Sequence, residues 1–296
     1  MTALFTGSIV ALVTPMTAAG QIDTAAYERL LQWHLAAGSD GLVIGGTTGE
    51  SATLRPAELE GLLKLAVQAV AGRIPVIAGT GTNSTAGSAE LTTMACAAGA
   101  DACLVVTPSY NKPTQEGLYF HYQAIADAAS APVILYNVPG RTGTDLLAAT
   151  VARLSAHERI VAIKEATADI ERTREIIRLC GDDMTVISGD DATALAAMHA
   201  GARGVVSVSA NIVPDKMAAL CRAALAGDFE QGRDIDENLR ELHQALFIES
   251  NPIPVKYILA RMGYIEPALR LPLTPLQQQN EAKVTDAVKR AGVKIT

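Results

Sequence analysis

RIVAIKEATAD, residues 159–169, sets a β-branched apolar run directly against a lysine and a glutamate. Ile160, Val161, Ala162 and Ile163 do not alternate apolar with polar. Such a run reads as a strand covered on both faces, as in a parallel sheet under helices. Lys164 then places an ammonium group at the end of a buried element. What that strand belongs to depends on how many others the chain has.

Seven further runs of the same kind occur: SIVALV (8–13), GLVIGG (41–46), PVIAGT (75–80), CLVVTP (103–108), PVILYN (132–137), TVISGD (185–190) and GVVSVS (204–209). With IVAIKE (160–165) there are eight. Ala/Leu-rich helical segments lie between them. TAAYERLLQWHLAAG opens at Thr24 and closes at Gly38, and RPAELEGLLKLAVQAVAG has Pro56 near its first turn and Gly72 after its end. The strands recur about every 20 to 35 residues, room for one βα unit each. Eight units predict an α/β fold of the (β/α)8 TIM-barrel type. A doubly wound sheet is the alternative, weakened because no GxGxxG follows the first strand. After about residue 225 the strand runs stop, and the remainder reads as helices separated by Pro and Gly. The expected organisation is a catalytic barrel over 1–225 and a C-terminal helical region, 226–296, packed on it.

With 296 residues, 49% hydrophobic and 19% charged, the chain can bury a large core, which excludes global disorder. A net charge of −7, a pI near 5.3 and no Lys/Arg-rich run argue against nucleic acid or an anionic membrane as partner. The tail VKRAGVK reads as a solvated helix end. Cys96, Cys103, Cys180 and Cys221 form no CxxC pair, and the five histidines form no HxH or HExxH. No metal is therefore expected, and a reduced setting is the simple one. MTALFTGSIVALVTPM lacks a charged n-region, and no segment approaches the roughly 20 apolar residues of a transmembrane helix. A soluble, cytoplasmic protein is expected.

In such barrels the chemistry sits at the C-terminal ends of the strands. There the chain places Thr47 and Thr48 after the second strand, Tyr110 after the fourth, Tyr136 in the fifth, Lys164 in the sixth, and Gly189 with Asp190 after the seventh. All are expected on one rim. A lysine among hydroxyls suits amine chemistry, in which neutral Lys attacks a ketone to form a Schiff base. With an ordinary pKa near 10.4 it must be desolvated to do so. Two rivals stand beside this: a lysine that snorkels and pairs with Glu165 or a neighbouring carboxylate, and a phosphate-binding lysine. The loops GDDATA and SANIVPD are acidic rather than Gly-rich and basic, which counts against phosphate and against pyridoxal phosphate.

GSIVALVTPM, GGTTGESATL, RIPVIAGTGTNST, VTPSYNKPTQEGLYFHYQAIA, PVILYNVPGRTG, IKEAT, SGDDATAL and NPIPVK, in this order from residue 7 to about residue 275, resemble the dihydrodipicolinate synthase (4-hydroxy-tetrahydrodipicolinate synthase) family. That family falls among the pyruvate-dependent class I aldolases and lyases on (β/α)8 barrels. The resemblance implies condensation of pyruvate with L-aspartate 4-semialdehyde, without a cofactor, in lysine and diaminopimelate biosynthesis. It makes Lys164 the Schiff-base lysine and Tyr136 the general acid/base. Thr47 and Tyr110 complete a proton relay, Tyr110 crossing from a neighbouring subunit. Thr48 then holds the pyruvate carboxylate, with Val206 and Gly189 beside the substrate, and Arg141 holds the carboxylate of the semialdehyde. It further implies a homotetramer built as a dimer of dimers. Another pyruvate aldolase, N-acetylneuraminate lyase-like or acting on a keto-deoxy-sugar acid, is the alternative, and Arg141 and the Thr47–Thr48 pair speak against it. A non-catalytic barrel leaves the set of Lys164, Tyr136, Thr47 and Tyr110 without a purpose.

One departure stands out. Ser51, Ala52 and Asn83 match the site where lysine-inhibited members bind L-lysine. Pro56 and Leu59 stand where such members tend to have histidines, Gly87 where they have glutamate and Ser109 where they have tyrosine. Losing the glutamate removes the partner of the ligand's ammonium, so weak or absent inhibition by lysine is expected.

Overall fold

The computed structural model describes residues 5–295. Residues 1–4, the start of the stretch read above for signal-peptide features, and Thr296 lie outside the described residues. The eight strands are β1 (Gly7–Ala11), β2 (Gly41–Ile44), β3 (Val76–Gly79), β4 (Ala102–Val106), β5 (Val133–Asn137), β6 (Ile160–Glu165), β7 (Thr185–Ser188) and β8 (Gly204–Ser207). Each pairs in parallel with the next in sequence, and β8 returns to β1 to close a barrel. Closure removes the doubly wound alternative, which needs an open sheet.

Successive strand residues point to opposite faces of the sheet, and here both faces are apolar. Ile9, Ala11, Val43, Ile77, Leu104, Ile134, Ala162, Ile187 and Val206 fill the barrel interior. Their neighbours Val10, Leu42, Ala78, Val105, Leu135, Ile163, Val186 and Val205 join the larger cluster under the helices. This is why the runs in the sequence are continuous: neither face meets water. At the seam, a Cβ on Gly204 would lie 2.2 Å from the Gly7 carbonyl oxygen, so only glycine lets the last strand reach the first.

The helices start and stop where local chemistry directs them. Thr24–Ala37 is capped by Asp23, which accepts from Ala26 N at 2.9 Å, and ends at Gly38 in the left-handed region (φ 79°). Pro56–Val70 has its proline in the first turn, and Glu58 accepts from Arg55 N at 2.8 Å. Beyond β8 the chain forms the helices Pro214–Leu225, Phe229–Ala245, Ile253–Arg261 and Gln278–Arg290, with no further strand among the described residues. Phe229–Ala245 packs on Pro214–Leu225, Ala194–His199 and Gln278–Arg290. Among the described residues no helix is long and apolar enough to cross a membrane.

Candidate active site

Tyr136 and Lys164 are register partners on the neighbouring strands β5 and β6. Two steps beyond the interior residues Ile134 and Ala162, they stand side by side at the mouth of the barrel. Lys164 is only 6% exposed, and its Nζ lies 4.2 Å from the centroid of the Tyr136 ring. Among the described residues it takes part in no ion pair and no hydrogen bond. The rival pairing with Glu165 fails for a geometric reason. Glu165 is the next residue along the strand and faces the helices, where its carboxylate accepts from Asn137 Nδ2 at 3.1 Å and Thr167 N at 2.9 Å. Burial raises the Glu165 pKa against the pull of those donors.

An open-topped cavity lies over this pair. Thr47, Thr48, Tyr136, Arg141, Lys164 and Gly189 all line it, together with Asp190, Val208, Phe247 and Asn251. Two predicted residues do not. Val206 sits one inward step deeper, buried in the interior cluster, and Val208 is the residue of that chain segment at the wall. Tyr110 is 90% exposed, with a left-handed backbone (φ 74°), and its N–H donates to Thr142 O at 3.4 Å. That backbone turns its side chain out of the barrel, so within one chain Tyr110 does not share the rim with Lys164.

The turn after β2 is held by its own backbone. Gly49 N and Ser51 N both donate to Gly46 O, at 3.0 and 3.2 Å, and Glu50 N donates to Thr47 O at 3.1 Å. Thr47 N and Thr48 N have no acceptor within the described chain. Two amide donors and two hydroxyls thus border the cavity, a suitable cradle for an anion. The turn is also pinned from the far end of the chain. Lys256 Nζ, 1% exposed, bonds Glu50 Oε1 at 2.5 Å and Thr14 O at 3.0 Å, and Thr14 Oγ1 donates to Gly49 O at 2.7 Å. Burial lowers the Lys256 pKa, and the Glu50 carboxylate opposes that shift.

Gly189 serves by having no side chain. A Cβ there would lie 2.5 Å from the Ala166 Cβ and 2.9 Å from Lys164 Cε. Arg141, on the short helix Pro139–Thr142, is exposed, and its Nη2 reaches the Asn251 carbonyl oxygen at 3.4 Å. Asn251 and Phe247 were not foreseen as site residues. NPIPVK is recognisable as a motif, but no spacing connects residue 251 with residues 48 and 141; only the fold does. Among the described residues no group of three His, Cys, Asp or Glu side chains is arranged to hold a metal ion.

A sequence model described as the Dihydrodipicolinate synthetase family matches residues 4–291. The chain is 53% identical to a 4-hydroxy-tetrahydrodipicolinate synthase of Acidithiobacillus ferrooxidans, over 97% of this chain and 99% of that protein. It is 54% identical to that of Methylococcus capsulatus, again over 97% and 99%. Among solved structures, the dihydrodipicolinate synthase from Acinetobacter baumannii, complexed with pyruvate, superposes with a TM-score of 0.96 at 49% identity, covering 98% of this chain and 99% of that one. The dihydrodipicolinate synthase from Aquifex aeolicus gives 0.96 at 44% identity, covering 99% and 100%. Full-length agreement in sequence, in barrel closure and in the matching motifs has one meaning: the chain belongs to the dihydrodipicolinate synthetase family.

Proposed function

We propose that the protein condenses pyruvate with L-aspartate 4-semialdehyde to 4-hydroxy-tetrahydrodipicolinate, for lysine and diaminopimelate biosynthesis, through a Schiff base on Lys164. The observation that carries this is a lysine buried at the cavity floor, without an ion-pair partner, against the ring of Tyr136. A buried lysine spared a carboxylate partner keeps its nitrogen free to meet a carbonyl carbon, which is what a nucleophilic amine requires.

The amine attacks C2 of pyruvate, and the carbinolamine loses water to give the iminium. Loss of a C3 proton gives the enamine, whose C3 bonds to the aldehyde carbon. The semialdehyde's own amine then displaces Lys164 and closes the ring, so that one water is released overall. Tyr136 is the acid/base at these proton transfers, and Thr47 and Tyr110 pass the proton on. Thr48 and the free N–H groups of its turn hold the pyruvate carboxylate, Arg141 holds that of the semialdehyde, Gly189 borders the substrate, and Val206 packs in the layer beneath the cavity. Tyr110 acts in the site of a neighbouring copy, consistent with its 90% exposure in the single chain. The assembly is a homotetramer of tight dimers working in the cytoplasm. The barrel ends near residue 225, and the helices after it cover the barrel.

The test is to incubate the protein with pyruvate and borohydride, locate the adduct by mass, and assay turnover with the semialdehyde. A stable adduct on Lys164, absent in Lys164→Ala, together with turnover is expected. No adduct on Lys164 sinks the proposal, and an adduct without turnover points to a different aldehyde acceptor. Inhibition by L-lysine is expected to be weak or absent, since Gly87 offers its ammonium no carboxylate and Ser109 stands where lysine-inhibited members have tyrosine. Loss of activity in millimolar lysine would count against this.

A further inference from the structure

We propose that Asn251 is a positioning residue that makes Thr48 a hydrogen-bond donor toward the cavity. This rests on the reading that Thr48 holds the carboxylate of pyruvate.

A threonine hydroxyl has one hydrogen to give and lone pairs to receive, so its neighbours decide which it offers to a ligand. Asn251 Nδ2 donates to Thr48 Oγ1 at 2.9 Å. The hydroxyl therefore accepts on that side, and no group of the described chain accepts its hydrogen. Thr48 borders the cavity, so the free hydrogen can meet what binds there. With the Thr47 and Thr48 N–H groups, this gives an anion three donors from one turn.

The asparagine is itself held in place. It is 5% exposed, and its backbone carbonyl receives Arg141 Nη2. It stands just before the helix Ile253–Arg261, whose Lys256 is anchored to Glu50, two residues beyond Thr48. One residue thus touches both the hydroxyl assigned to pyruvate and the guanidinium assigned to the semialdehyde. Its Oδ1 has no protein partner, so its only side-chain hydrogen bond among the described residues is the one to Thr48.

Asn251→Asp and Asn251→Ala separate the proposal from a packing role. Aspartate keeps the shape but cannot donate; as a carboxylate it takes the Thr48 hydrogen for itself. Alanine loses the shape but leaves the hydroxyl free. We expect Asn251→Asp to raise the KM for pyruvate by about tenfold or more, the scale of one charge-assisted hydrogen bond, with a much smaller change in kcat. Asn251→Ala should raise it less. In a Thr48→Val background, Asn251→Asp should lose most of its effect, because the hydroxyl it captures is gone; repulsion between the new carboxylate and pyruvate would persist there. Alanine as damaging to the KM as aspartate, or an equal aspartate effect with and without the Thr48 hydroxyl, overturns the proposal. Borohydride trapping on the unmodified protein keeps the two readings apart: no adduct on Lys164 defeats the Schiff-base reading, while an adduct with either overturning pattern defeats the role of Asn251 alone.

Discussion

Lys164 can stand where it does because residue 189 has no side chain. Gly189→Ala would bring a methyl carbon within 2.9 Å of Lys164 Cε and 2.5 Å of the Ala166 Cβ. The lysine stem is the more movable neighbour and would be displaced from its place over the Tyr136 ring. Misplacing a reacting group by about 1 Å costs on the order of a hundredfold. We expect Gly189→Ala to lower kcat by that order and to slow borohydride trapping by pyruvate in parallel. Trapping at the normal rate with a normal kcat would show that the stem has room to spare.

At the scale of elements, one carboxylate gathers three donors of the turn after β8. Asp191, only 2% exposed, accepts from Ser207 Oγ at 2.5 Å, Val208 N at 2.9 Å and Ser209 N at 3.0 Å, holding Val208 at the cavity wall. Asp191→Ala leaves three buried donors without an acceptor, so a loss of about 3 kcal/mol is expected in urea unfolding. This turn also marks what could be read in advance. The strands were legible because a barrel wall is dry on both faces and writes itself as continuous apolar runs. The rim was legible for Thr47, Thr48, Tyr136, Lys164, Gly189 and Asp190, which sit within a few residues of a strand end, whereas Arg141 came only through the family resemblance. Asn251 was not, because it arrives from the far end of the chain. Tyr110 follows a strand like the others, but its left-handed backbone turns it outward, and nothing in the letters around it predicts that angle.

For the whole molecule, the exposed Tyr110 predicts that the site is shared between copies. If each copy lends Tyr110 to its neighbour, Tyr110→Phe and Lys164→Ala should each be impaired alone. Mixing them with subunit exchange should restore activity, because a mixed pair contains one site with both groups intact. Failure of mixing after demonstrated exchange would place Tyr110 outside the reaction. A second prediction concerns acid. Arg270 brings the C-terminal segment onto Glu58 through two bonds, of 2.8 and 2.5 Å, and these bonds hold the Glu58 carboxyl down to about 2 from its ordinary 4.5. A depressed carboxyl stabilises the fold above its unfolded value, and that contribution disappears as pH falls through the folded one. Glu58→Gln should therefore lower Tm near neutrality and flatten the fall in Tm between about pH 5 and about pH 2. Parallel curves for the two proteins would count against the link.

The bond between Lys256 and Glu50 also bears on how the protein comes to be made. A ribosome produces the turn with Thr47 and Thr48 early, along with the strand that leads into it. The cation that neutralises Glu50 and the amide that orients Thr48 emerge only after some two hundred more residues. A nascent chain can fold its strands in order, yet the turn that carries Thr47 and Thr48 stays unpinned until synthesis is nearly over. Activity should thus arise late and abruptly, and chains cut short before residue 251 should bind pyruvate poorly even where their barrels have closed.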